Sequence, residues 1–315
     1  MDKNKKIVGI GGGTGLSTLL EGLKHWTKNI TAIVTVTDDG GSSGRLRKDF
    51  NMLPPGDIRN CIVALAESSS LLSELFQYRF KGSSSLSGHP FGNLFIAAMN
   101  EITGSFAKGI LEASHILNIK GQVLPATLEN VVLGAVFADG TVVQGQTKII
   151  SYPSPIRKIF LLPEQPKAYT GVIHACAEAE IIILGPGSLF SSVLPNLLVD
   201  GVAQAIRASR AKKVYVSNIM TQPGETDGFS ASQHLAEVEK YLGCRMDYVL
   251  LHASTIPQHL LQKHARSHSY EVKQDRAYMN RRTKIIREEV VSGHKFIRHD
   301  PLKTAKAIFK NVSKP

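Results

Sequence analysis

The chain has 315 residues, 43% of them hydrophobic and 20% charged, which suits one large α/β domain or two modest ones and argues against wholesale disorder. A formal net charge of +11 favours anionic partners, while 7% aromatic residues with no basic–aromatic stripe argue against a dedicated nucleic-acid surface. No apolar run reaches the roughly 18 residues of a membrane span, and Lys3–Lys6 run straight into Ile7–Ile10 and glycines, too short an apolar stretch for a secretory leader, so none is expected. Cys61, Cys176 and Cys244 are scattered without disulfide or metal spacing, so a reducing cytoplasm is expected.

In chain order, Lys6–Ile10 reads as a buried strand. Leu16–Trp26 reads as a helix through Leu16, Leu19, Leu20 and Leu23, and Ile30–Val36 as a second strand. Thr37–Gly44 has loop chemistry. Helical spacing then recurs over Asp57–Ala66, Leu71–Phe80, Phe91–Ile102 and Phe106–Leu117. From Gln122 to Leu162 the pattern turns to short β segments, with Asp139-Gly140 as a hairpin signal between Val131–Phe137 and Thr141–Gln144. This stretch, about 122–162, is expected to be a β-rich insertion or extension. The α/β rhythm returns with a strand at Glu180–Leu184 and a helix at Leu189–Val199. A strand at Lys213–Ser217, a helix at Ala231–Leu242 and a strand at Asp247–Leu251 follow. A late strand at Ile285–Val291 and a helix at Pro301–Phe309 lie in a basic C-terminal extension, about 256–315. The expectation is a Rossmann-like three-layer αβα domain with a mostly parallel sheet.

Several motifs fall at strand ends. Gly11-Gly12-Gly13-Thr14-Gly15 follows the first strand and opens a helix, so its N–H groups and the helix N-terminus favour a phosphate. No Gly-Lys-Ser/Thr follows, so it is not a Walker A loop, and the alternative is a tight turn without ligand. Thr37-Asp38-Asp39-Gly40, with Arg45 beyond, ends the second strand; such carboxylates hold ribose hydroxyls or Mg²⁺, or else form a polar surface turn. Asp57 in Pro54–Asn60 either caps its helix or completes a metal or general-base site, with Asn60 beside it. In His89–Leu94, Asn93 offers an amide at a helix start and His89 reads as structural. Gly185-Pro186-Gly187-Ser188-Leu189 repeats the strand–glycine–helix logic, and Asn218, Thr221 and Glu225 follow a later strand at the same carboxyl edge. Arg298 has the charge for a diphosphate, but no spacing ties it to one. Neither a Gly-x-Ser-x-Gly elbow nor a His-Glu-x-x-His motif is present.

Taken in order, Gly11–Leu20, Thr37–Arg45, Pro55–Asn60, His89–Leu94, Gly185–Leu189 and Met220–Thr226 resemble the bacterial gluconeogenesis factor family (UPF0052). That family is distantly related to 2-phospho-L-lactate transferase, with its CofD-like fold. The resemblance implies a cytoplasmic UDP-sugar-binding regulator of cell shape and peptidoglycan precursor supply during gluconeogenic growth, acting on a partner enzyme of amino-sugar metabolism. Here the diphosphate would lie on Gly11–Gly15, Asp38 or Asp39 would hold a ribose or a metal-bridged phosphate, and Gly187, Ser188 and Asn218 would line the other side. A Mg²⁺-dependent transfer of a phospho or nucleotidyl-phospho group, with Asp38, Asp39 and Asp57 as candidate catalytic carboxylates, is the alternative. An NAD-binding protein is a third reading, and a homo-oligomer stays open.

Overall fold

The computed structural model describes residues 4–67, 71–277, 282–292 and 296–312. Lys3 and parts of the basic C-terminal extension (278–281, 293–295 and 313–315) lie outside them.

The chain alternates strands and helices, beginning with β1 (Ile7–Gly11), α1 (Gly13–Leu23), β2 (Ile30–Val34), α2 (Gly41–Phe50), α3 (Gly56–Leu65), α4 (Leu71–Gln77), α5 (Phe91–Thr103) and α6 (Phe106–Ile116). Next come β3 (Gln122–Pro125), β4 (Val132–Phe137), β5 (Val142–Gln144), α7 (Gln146–Ile150), β6 (Ile156–Leu162), α8 (Thr170–Glu178) and β7 (Ile181–Leu184). A π-helical turn (Leu189–Val193) then runs into α9 (Leu194–Leu197), followed by α10 (Val202–Ala208), β8 (Lys212–Val216), α11 (Ala231–Leu242), β9 (Tyr248–His252) and α12 (Gln258–Ala265). The described chain closes with β10 (Lys284–Glu288), β11 (Val291–Ser292), β12 (Arg298–His299) and α13 (Pro301–Val312).

Seven strands form one sheet in the order β10-β9-β8-β7-β1-β2-β3, all parallel. Strands β1 and β7 are buried at every position, as strands covered by helices on both faces must be. Helices α1, α3 and α13 pack together in one layer, and α8, α10 and α11 in another. The chain winds outward from β1 through β2 to β3, crosses back to β7, and winds the other way to β10. The sheet order therefore reverses between β1 and β7, and the crevice at their carboxyl ends is where an open α/β sheet accepts a ligand.

Local structure departs from the sequence pattern in several places. Thr37–Gly44 is not all loop: α2 begins at Gly41, because a glycine–serine start leaves helix N–H groups free and Leu46 supplies a buried anchor. Gln122–Pro125 leaves the β-rich stretch and pairs with β2 as the sheet's edge strand. The true side sheet is antiparallel β5-β4-β6, with α7 riding on it. Helices α8, α10 and α12 carry short or mixed apolar stripes and escaped the periodicity. The expected strand Ile285–Val291 breaks after Glu288, where the chain leaves the sheet to form the β11–β12 hairpin.

One hydrophobic core spans the sheet and both helix layers, while a satellite core of Ile219, Ile256, Leu260, Val291 and Ile297 sits under the C-terminal hairpin. Helix α13 returns to α1, where Trp26 stacks on Phe309 with ring centroids 5.0 Å apart. The contact needs Gly22, since a Cβ there would overlap the Pro301 carbonyl. Docking α13 in this way brings the preceding β12 close to α1. Among the described residues, no helix is long and apolar enough to cross a membrane.

Candidate functional site

The two glycine turns meet at the switch point. Gly12 is the extended residue before α1, and Gly13 takes φ +62°, so the turn reverses within two residues. Gly15 lies against Pro186 so closely that a Cβ would overlap the Pro186 carbonyl. The wall is therefore made of main chain from both turns. It lines a cleft of ≈ 230 Å³ with Gly12, Gly13, Thr14, Gly15, Gly187 and Ser188. Asn218 faces the cleft from the end of β8, and Arg298 and His299 close it from β12. The first N–H groups of α1 have no partner within the helix, so the floor attracts an anion.

The β12 side hangs on other contacts. Ile297 sits in the satellite core, and its N–H donates to His264 Nε2 at 3.0 Å. At the far end of the hairpin, the Val290 N–H donates to His252 Nδ1 at 3.3 Å. Burial pushes the His299 imidazole down to about 4, keeping it neutral beside the cleft.

The carboxylates divide. Asp57 lies next to the glycine turn, with Oδ2 2.8 Å from where a Cβ on Gly12 would stand. Desolvation raises its carboxyl to about 6 against a hydrogen bond from the Gly13 N–H, and the charge of Asp38 adds to the rise. Helix α3 has Pro55 as its cap residue and no side-chain cap, and Asp57 lies within its first turn, so the Asp57 side chain serves the glycine turn rather than capping α3. Asp38 Oδ1 accepts from the Gly40 N–H at 3.0 Å, and the residue neighbours Asp57. Asp39 turns away: its Oδ1 accepts from the Thr147 N–H at 3.0 Å and Oγ1 at 2.7 Å, tying the β2 loop to α7. The structure thus pairs Asp38 with Asp57 and sends the Asp39 carboxylate to the side sheet. Among the described residues there is no group of three or more His, Cys, Asp or Glu able to cage a metal. Two carboxylates beside a glycine turn at a helix N-terminus do fit Mg²⁺, which takes one or two carboxylates and completes its shell with phosphate oxygens and water.

The remaining predicted residues are less directly placed. Gly11 is buried and its carbonyl accepts from Thr35 N–H and Asn196 Nδ2. The Thr37 hydroxyl lies 3.1 Å from that of Thr35 inside the fold. Gly185 and Leu189 are buried around the second turn. Arg45 donates to the Ser87 carbonyl at 2.8 Å, and Asn60 accepts from Arg59 at 2.6 Å. Asn93 belongs to a buried chain: Arg59 donates to Asn93 Oδ1 at 2.9 Å, Asn93 Nδ2 donates to Ser42 Oγ at 3.0 Å, and Ser42 bonds His89 Nδ1 at 2.8 Å. Burial lowers the Arg59 guanidinium to about 10 and also lowers His89. This chain fixes α2, α3 and α5 to one another behind the acidic pair. Thr221 Oγ1 accepts from the Tyr270 N–H at 2.9 Å. Glu225, buried, accepts from the N–H groups of Phe190 and Ser191 at 3.0 and 3.3 Å, so it anchors the helix start after the second turn.

Sequence reasoning did not single out Ser42, Arg59 and His299, nor Ser192, which also lines the cleft. Arg59 carried the strongest available signal, since it shares its motif with Asp57 and Asn60. His299 had none, because only the docking of α13 on α1 brings its strand to the first turn.

Fold and site define a doubly wound α/β protein whose switch point carries paired glycine turns over two carboxylates. The family described as 2-phospho-L-lactate transferase CofD matches residues 7–291. The gluconeogenesis factor of Bacillus subtilis is 44% identical over 97% of this chain and 97% of its own. That of Halalkalibacterium halodurans is 49% identical over 84% of this chain and 82% of its own. A crystal structure of a UPF0052 protein from Bacillus halodurans superposes with a TM-score of 0.94 at 45% identity, covering 98% of this chain and all of that one. The chain belongs to the gluconeogenesis factor (UPF0052) family, with a CofD domain.

Proposed function

We propose that the chain is a regulator that binds a UDP-sugar in the switch-point cleft, its diphosphate resting on the N–H groups of Gly13–Gly15 with Arg298 closing from above. The observation that carries this reading is the main-chain packing of Gly15 on Pro186, which fixes both glycine turns around a cleft open at a helix N-terminus. Its relatives are named gluconeogenesis factors, and on this reading the chain acts in the cytoplasm to direct carbon toward peptidoglycan precursors, and hence cell shape, on gluconeogenic carbon sources. Ligand would change affinity for a partner enzyme of amino-sugar metabolism only by binding two states unequally.

The Asp38–Asp57 pair favours a second reading, a Mg²⁺-dependent transferase of phosphorus-containing groups, in keeping with the description of the matched family. Mg²⁺, when bound, would neutralise charge on phosphate oxygens. Asp38 and Asp57 would hold it, and the Gly13 N–H would orient Asp57. Titration of the protein with UDP-sugars, UDP and NAD, with and without Mg²⁺, followed by product analysis, separates the two. Saturable UDP-sugar binding without turnover is the expected result. A metal-dependent product would establish the transferase, and binding of NAD alone would overturn both.

A further inference from the structure

A second hollow of ≈ 630 Å³ adjoins the cleft and shares Thr14, Thr18 and Arg298 with it. It runs between α1, α3 and α4, where Ser17, Glu21, Asn60, Glu74, Gln77 and Tyr78 line it. On α1, Thr14, Ser17, Thr18 and Glu21 stand at i, i+3, i+4 and i+7, one stripe along the helix. From Thr14 to Glu21 the stripe runs roughly 10 Å at about 1.5 Å per residue, the length scale of a phosphate-linked hexose.

The chemistry changes along that stripe. The cleft end offers main-chain donors and Arg298. Farther on, the hydroxyls of Ser17 and Thr18 are spent donating to the Thr14 carbonyl, at 3.1 and 2.8 Å, so they face outward as acceptors. Glu21 and Glu74 add two carboxylates with no salt-bridge partner among the described residues. Asn60 accepts from Arg59 through Oδ1, which leaves its Nδ2 to donate. Lys24 also lines the hollow at its far end, held by the Ala66 carbonyl at 2.8 Å and near enough to Glu21 for their charges to interact, so the hollow carries charge of both signs. The Tyr78 ring meets Phe80 edge-on at 5.4 Å, and the residue stays 51% exposed. A further phosphate would meet carboxylates here. A neutral ring rich in hydroxyl donors would meet acceptors, the amides of Asn60 and Gln77, and an aromatic face.

We propose that this hollow is the sugar subsite: the hexose of a nucleotide sugar lies along α1 toward Glu21 and Glu74, against Tyr78, while its diphosphate stays on the glycine turn. The assignment rests on the UDP-sugar reading above and extends it from the phosphates to the group that sets specificity. The nucleoside then occupies the Asn218 side of the cleft.

Calorimetric titration of the intact chain with UDP, UDP-glucose and UDP-N-acetylglucosamine tests it, comparing wild type with Glu21→Gln and Tyr78→Ala. Both positions are exposed, and a circular-dichroism melt confirms that each variant folds. The expected result is that wild type binds at least one UDP-sugar roughly tenfold more tightly than UDP. Each variant should then bring that ratio toward one while leaving the affinity for UDP unchanged. An unchanged ratio in both variants overturns the subsite and leaves the UDP-sugar reading standing. An equal loss for UDP and UDP-sugar also overturns it, because the nucleoside would then lie in the hollow. If wild type binds none of the three, the UDP-sugar reading fails and the subsite falls with it.

Discussion

The cleft has two walls built on different principles. The glycine wall is main chain against main chain, set between the central strands β1 and β7, with no side chain at Gly15 to adjust. The β12 wall hangs from a five-residue satellite core and from histidine nitrogens accepting backbone N–H groups. The first shares the stability of the whole sheet. The second rests on that small core and on the docking of α13 against α1, and is expected to loosen before the sheet does. An anion floor that stays fixed and a cationic side chain on a separately held strand suit a protein that responds to a ligand.

The largest effect falls on the glycine wall. Gly15→Ala drives a methyl into the Pro186 carbonyl and should cost about 3 kcal/mol of global stability, as overpacking of a close contact does. A urea midpoint equal to wild type would mean the turns are not locked together. Ile297→Ala should cost about 2 kcal/mol, the low end for such truncations, but confined to the satellite core. Hydrogen exchange would then speed at Val290–Ser292 and at Ile297 while the amides of β1 keep wild-type protection. Uniform acceleration would erase the contrast between the walls.

Asp57 sharpens the comparison through pH. Its carboxyl lies near 6 in the fold against an ordinary 3.8, so folding favours the protonated form. Its contribution to stability is present below pH 4 and lost as pH rises through 6. Asp57→Asn should therefore be more stable than wild type by about 1–3 kcal/mol at pH 8, and the gap should narrow toward pH 4. Denaturation curves across that range check the sign, and a gap that widens toward acid would refute it. In the same window, ionised Asp57 competes with phosphate for the Gly13 N–H, so Mg²⁺ should strengthen diphosphate binding more at pH 8 than at pH 5.5. The smallest stability effect belongs to Arg298→Ala, within about 0.5 kcal/mol of wild type, as for an exposed side chain. Its loss of diphosphate affinity should still be about tenfold, from one missing charge-assisted contact.

The contrast between the walls also explains what the sequence made legible. Gly11–Gly15 and Gly185–Ser188 announce themselves because a tight strand-to-helix turn demands glycine locally, and the parallel order of their strands follows from the α/β rhythm. Asp57 was visible as a carboxylate, but its partner was not. Asp38 and Asp39 are equivalent in sequence, and only the position of α7 shows that Asp39 is drawn to Thr147. Arg298 was a charge without an address, because its address is set by Gly22 accepting Pro301 some 280 positions away. Helices α8 and α10 were missed because their buried faces hold only two residues each, too few for a periodic signal.

A structure of the protein bound to a UDP-sugar tests the central claim most directly. The account predicts diphosphate oxygens at hydrogen-bond distance, about 3 Å, from the main-chain nitrogens of Gly13–Gly15, with the Arg298 guanidinium turned onto them. A diphosphate seated elsewhere, for example in the hollow between α6 and β3, with the glycine turns untouched, would contradict it.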